Sequence, residues 1–113
     1  MLARVHRLVR ADDYRQTVRR GRKVAATNTI SYVIDRGDGN PVRFGFIVSK
    51  AVGNAVTRNR VRRRLKAASY EVLARTRPGL DIVVRALPAS DRASWVTLRN
   101  EIFGLVDRLE VSR

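Results

Sequence analysis

The chain has no cysteine, so disulfides and thiolate metal sites are excluded. Its single histidine, His6, cannot form a histidine cluster and reads as an exposed residue. Carboxylates are scarce: 10 Asp and Glu face 24 Lys and Arg, for a net charge of +14. Asp12, Asp13, Asp35, Asp38 and Asp81 are scattered. No pair of them falls at a spacing that suits metal-assisted hydrolysis or general acid–base work. Ser49 stands beside Lys50, but no base or orienting acid follows at a recognisable spacing. Apolar runs are too short to span a membrane. The N-terminus lacks the apolar stretch of a secretion signal. These absences point to a cytoplasmic binder rather than a catalyst.

What is present is cationic charge, concentrated in one place. Between Lys50 and Lys66 lie seven cations and no carboxylate: Lys50, Arg58, Arg60, Arg62, Arg63, Arg64 and Lys66. Cations at that density repel one another, and nothing within the segment neutralises them. A polyanion would. The excess is mostly arginine, whose planar fork binds phosphate in a bidentate way. Anionic lipid is another option for a basic protein, but no amphipathic terminus or lipid anchor is visible.

At 113 residues and 44% hydrophobic content the chain is one domain with material for one core. Residues 1–10 read as an extended, flexible basic arm. Asp12 or Asp13 can cap a short helix that runs to about Arg20 and ends at Gly21, with Tyr14, Val18 and Thr17 as its inward candidates. Thr29–Asp35 and Val42–Val48 are rich in β-branched and aromatic residues and read as strands, joined as an antiparallel hairpin through a Gly- and Asn-rich loop. A short strand near Lys23–Ala25 fits beside them. A long helix is expected from about Ala55 to Thr76, with Val61, Leu65, Ala68 and Val72 on one face. Arg58, Arg62 and Lys66 form a stripe along one edge of that face, with Asn59 and Arg63 beyond it. Arg60 and Arg64 lie on the opposite side. Leu80–Ala86 is nearly continuous in apolar residues and reads as a strand covered on both faces. A last helix, from about Ala93 to Glu110, carries Trp95, Leu98, Ile102, Leu105, Val106 and Leu109 at helical spacing and is expected on the sheet's other face. The result is an α/β (α+β) sandwich with a small mixed sheet.

Solvated helices usually mix charges of both signs, and Lys50–Lys66 does not. Gly53-Asn54-Ala55 opens the helix, either as a phosphate site built from backbone N–H groups or as an ordinary Asn54 cap. Tyr14, Tyr32, Phe44 and Phe46 can stack on unpaired bases or fill the core. Phe44 and Phe46 share a strand face that reads as inward, and Trp95 reads as a core anchor.

The string Ser49-Lys50-Ala51-Val52-Gly53-Asn54-Ala55-Val56-Thr57-Arg58-Asn59-Arg60-Val61-Arg62-Arg63 resembles the signature of the bacterial ribonuclease P protein subunit. Arg58-Asn59-Arg60 matches that family's RNR motif. Arg7-Leu8, Asp13-Tyr14, Arg19–Arg22, Phe44-Gly45-Phe46, Asp81–Arg85 and Trp95-x-x-Leu98 fall in register. The resemblance implies the order α-β-β-β-α-β-α with a left-handed strand–helix–strand crossover, against the usual hand. It implies a large catalytic RNA as partner, which with Mg²⁺ removes the 5′ leader of precursor tRNA. The protein performs no chemistry and carries no organic cofactor. By the same resemblance Lys50, Asn54, Arg58, Asn59, Arg60, Arg62, Arg63 and Lys66 bind RNA. Tyr14, Val18 and Tyr32 line a cleft for the single-stranded leader. Val18 and Ala51 depart from the aromatic and the lysine that many members carry there. A general RNA-binding or ribosome-associated protein, a duplex-DNA binder and a protein-only nuclease are the rivals. The first explains the charge but not the ordered string.

Overall fold

The computed structural model describes residues 2–111. Its elements are α1 (Ala11–Arg20), β1 (Arg22–Ala25), β2 (Thr29–Asp35), β3 (Arg43–Ile47), α2 (Ala55–Val72), β4 (Leu80–Ala86) and α3 (Trp95–Val111). The expected order is present, and the short first strand is real. The sheet has four strands in the order β1-β2-β4-β3.

That order corrects one expectation. β2 and β3 do not form a hairpin, because β4 lies between them, antiparallel to β2 and parallel to β3. The physical reason is visible in β4, which is buried at every position except Arg85. A strand apolar on both faces belongs at the centre, where both edges find ladder partners. Parallel pairing of β3 with β4 then requires the long connection that α2 supplies.

A second correction concerns α3. It packs beside α2 on the same sheet face, and α1 alone covers the other. Val61, Leu65, Ala68 and Val72 of α2 meet Leu98, Ile102, Leu105 and Val106 of α3 over Val24, Val33, Phe44, Ile82 and Val84. Each Val, Leu, Ile or Phe side chain among them, fully buried, contributes about 1.5–3 kcal/mol, and the Ala68 methyl less. Val83 pairs laterally with Tyr32 and Gly45 on the opposite face, under α1.

Asp12 and Asp13 do not cap α1. Arg10 occupies the N-cap without a side-chain bond, and both carboxylates fall in the first turn, where the helix dipole favours them. Thr17 is the buried residue of α1, its hydroxyl donating to the Asp13 carbonyl at 2.8 Å, while Tyr14 and Val18 are half-buried. α2 ends at Val72 and continues as a 3-10 turn, Leu73–Arg75.

The basic arm also differs from expectation. Among residues 2–10 (residue 1 lies outside the described residues) Arg4–His6 is a 3-10 turn, and Leu2 and Leu8 are buried. The Leu8 N–H donates to the Phe44 carbonyl at 2.8 Å, so the segment is strapped along β3's outer edge. His6 is half-buried rather than free, its Nδ1 donating to the Val42 carbonyl at 2.8 Å.

Candidate nucleic-acid interface

The site is built on a buried acid. Asp81 in β4 is 5% exposed and accepts a bidentate pair of hydrogen bonds from Arg43 Nε and Nη2, both at 2.8 Å, and another from Arg36 Nη1. Arg43 Nη1 also lies 3.5 Å from Asp13. The Asp81 contact holds the Arg43 guanidinium above its ordinary, already fully charged range. This network ties β4, β3, the β2–β3 loop and the first turn of α1 together, and that turn carries Tyr14.

Tyr14 lies flat on Gly45, where a Cβ would stand 2.6 Å from its ring. Only glycine allows that approach. Its hydroxyl accepts from the Phe46 N–H at 3.2 Å and donates to the Leu8 carbonyl at 3.4 Å. Phe46 stacks beside Phe44, with ring centroids 6.5 Å apart. Phe44 is in the core as expected, whereas Phe46 is half-buried.

Above these rings opens a cleft of about 460 Å³. Tyr14, Phe44, Phe46, Leu8 and Val9 form its apolar lining, and Arg4 and Arg7 on the strap stand with Arg62 and Lys66 on α2. Among the described residues no carboxylate lines it. Aromatic surface flanked by unbalanced cations fits a single strand, whose bases stack and whose phosphates need counter-charges.

The structure distributes the other sequence-predicted residues along α2 and its approach. Lys50 is exposed in a 3-10 turn, Lys50–Val52. Asn54 accepts from the Thr57 N–H at 2.9 Å, the capping alternative. Asn59 Oδ1 accepts from Arg62 at 3.1 Å. Arg58 is half-buried, and its Nε has no hydrogen-bond partner among the described residues. Arg60 donates to the Asp91 carbonyl at 3.1 Å and Arg64 to the Ala93 carbonyl at 3.0 Å, on the α3 side of α2. Arg63 is exposed.

Of the three positions that the resemblance assigns to the leader cleft, only Tyr14 lines this cavity. Val18 is half-buried further along α1, and Tyr32 is 8% exposed on the same sheet face as Gly45. Arg4, Arg7, Leu8 and Val9 are the lining residues that the sequence reading missed, and Phe44 and Phe46 are ones it offered for stacking but read as inward. The one available signal was arginine interleaved with apolar residues over Arg4–Arg10. Among the described residues no group of three or more His, Cys, Asp or Glu could hold a metal ion. No helix among them is long and apolar enough to cross a membrane.

A family model described as Ribonuclease P matches residues 2–110. The chain belongs to the ribonuclease P family. The Ribonuclease P protein component of Clavibacter michiganensis subsp. michiganensis is 49% identical over 108 residues, covering 96% of both chains. That of Rhodococcus opacus is 38% identical and covers 98% of this chain and 94% of its own. Two solved structures share the fold at 23% identity. The RNase P protein of Staphylococcus aureus superposes with a TM-score of 0.80, covering 93% of this chain and 94% of that one. The RNase P protein of Thermotoga maritima gives 0.79, with 90% and 96% covered. The RNR helix, the strap and the cleft are therefore features of a ribonuclease P protein subunit, a component of an endoribonuclease complex that processes tRNA.

Proposed function

We propose that this subunit binds a catalytic RNA through α2 and holds the 5′ leader of precursor tRNA in the cleft beside it. The RNA carries out the Mg²⁺-dependent hydrolysis, and the metal sits among RNA phosphates. The observation that supports this best is the cleft itself, with Tyr14 and Phe46 between two cationic walls that no lining carboxylate offsets.

Each part then has a task. Lys50, Arg58, Asn59, Arg60, Arg62, Arg63 and Lys66 contact the catalytic RNA, which offers phosphates and 2′-hydroxyls to a basic helix. Asn54 fixes the start of that helix. Arg58 Nε has lost water without gaining a protein partner, which is costly, so the side chain gains by turning out to a phosphate. Arg4 and Arg7 meet the leader's phosphates from the strap. Tyr14 stacks on a leader base. Val18, further along α1 and outside the cleft lining, can offer apolar contact only to a leader that runs beyond the cleft, and Tyr32 supports the sheet face from below. The whole assembly works in the cytoplasm.

The test is 5′ processing of a precursor tRNA at low Mg²⁺ by a bacterial ribonuclease P RNA, with and without this protein. Stimulation that needs both components is expected. Tight but unselective RNA binding without stimulation would leave a general RNA-binding protein. Two variants separate the surfaces. Arg58→Ala should weaken assembly with the RNA. Tyr14→Ala should weaken precursor binding and spare mature tRNA, and an equal loss for both would make Tyr14 a packing residue only.

A further inference from the structure

The groove on the other flank of α2, between it and α3, is not explained by leader binding. It is an open, shallow recess of about 430 Å³ lined by Arg60, Arg63, Arg64, Ala67 and Trp95. Three arginines and an indole line it, and among the described residues no carboxylate does. Trp95 is the first residue of α3 and packs against the core while remaining half-exposed. The sequence alone made it a core anchor. The fold leaves part of the ring facing the arginines.

Arg60 and Arg64 are held there. Each donates to a backbone carbonyl of the turn leading into α3, Asp91 and Ala93 respectively. A guanidinium fixed by one such bond keeps its remaining N–H donors for a ligand, with less rotamer freedom left to lose on binding. Arg63, exposed at the mouth, adds a third cation.

We propose that this groove is a nucleotide subsite, in which an unpaired base of RNA stacks on Trp95 while the flanking phosphates meet Arg63 and Arg64. The inference rests on the RNA-binding reading above and extends it to the flank of α2 away from the leader cleft. The charge selects a polyanion. The half-exposed indole selects a single strand, because every base offers a π-face only once it leaves a helix. A duplex would engage the arginines and leave the ring unused.

Trp95 is the only tryptophan in the chain, so tryptophan emission reports on this groove alone. The full-length protein is titrated with a short single-stranded oligouridine RNA and, at the same salt, with an RNA duplex of equal length. Saturable quenching by the single strand and little by the duplex is expected. Trp95→Leu abolishes the emission, so its oligouridine affinity is read by filter binding instead and should fall about tenfold through lost stacking. Arg63→Ala, at an exposed position that leaves the fold alone, should weaken the quench severalfold. Tyr14→Ala should leave it in place. No quench, equal quench by the duplex, or a quench that survives Arg63→Ala but not Tyr14→Ala would each overturn the subsite. Should Trp95→Leu fail to fold, Arg63→Ala and the duplex comparison decide. Precursor processing is read separately. Stimulated processing with unmoved emission sinks the subsite and spares the subunit function, and the reverse pattern does the opposite.

Discussion

Helix α2 carries cations on both flanks, and the two flanks hold them differently. On the cleft side, among the described residues, Arg62 hydrogen-bonds Asn59 alone and Lys66 lines the opening with Tyr14 and Phe46. On the α3 side, Arg60 and Arg64 are tied to backbone carbonyls. Both flanks repel internally, but only the α3 flank returns some stability through the same residues. The cleft side keeps stability and binding on separate side chains: Asp81, Arg43 and Gly45 hold the platform, and the cations above it remain available. On the α3 side Arg60 and Arg64 each serve as strut and as ligand contact. Mutations should therefore separate fold from binding on the first flank and mix them on the second.

The largest effect is expected at the platform. Asp81→Ala would remove the shared acceptor of Arg36 and Arg43, which keep Asp38 and Asp13, and should cost about 2–4 kcal/mol, read from the urea midpoint. A loss below about 1 kcal/mol would mean that the Asp13–Arg43 contact holds α1 unaided, and the cleft flank would lose its separate foundation.

Gly45→Val places a side chain where Tyr14 now lies and should cost about 1–3 kcal/mol by overpacking. Precursor binding should fall while binding of the catalytic RNA persists. Loss of both would show that the two surfaces are not separable.

The direct comparison uses two double variants. Arg60→Ala with Arg64→Ala removes two hydrogen bonds and should cost about 1–3 kcal/mol, with several degrees of Tm. Arg62→Ala with Lys66→Ala should change stability by about 0.5 kcal/mol or less. It should nonetheless reduce the salt dependence of RNA binding by roughly two phosphate contacts. Equal stability losses in the two pairs would break the distinction between the flanks.

The smallest effect is acid sensitivity, which should come from neither flank. Asp35, bonded by the Gly37 N–H and by Arg77, and Asp38, bonded by Arg36, are both held below the usual carboxylate range. A depressed folded pKa contributes stability that is present above the unfolded value of about 3.9 and is lost as pH falls through the folded one. Tm should therefore hold from neutrality to about pH 5 and decline below about pH 4. Asp38→Asn should flatten that decline. An unchanged decline would move the acid response elsewhere.

Much of α2 was legible beforehand. Its apolar face obeys helical spacing, and Val61, Leu65, Ala68 and Val72 are all fully buried. The central place of β4 was half-legible: its double-sided burial was read from composition, yet its neighbours were not. The hairpin reading of β2 and β3 failed because strand adjacency depends on which chain segment fills the gap, and local pattern carries no such information. The position of α3 failed for a related reason, since an apolar stripe records that a face is covered without recording by what. The strap was missed because Leu2 and Leu8 look like stray apolar residues until β3 offers an open edge and a hydrophobic seat.

By itself the sequence determined the elements, the cationic helix, the family and a polyanionic partner, because periodicity, charge density and the ordered RNR string are properties of neighbours along the chain. Only the tertiary structure decided that Tyr14 and Phe46 share a cleft with Arg4 and Arg7, that Val18 and Tyr32 do not line it, and that Arg60 and Arg64 stand beside Trp95. Those groupings join residues far apart in the chain, and they come from burying β4 on both faces and closing β3's free edge.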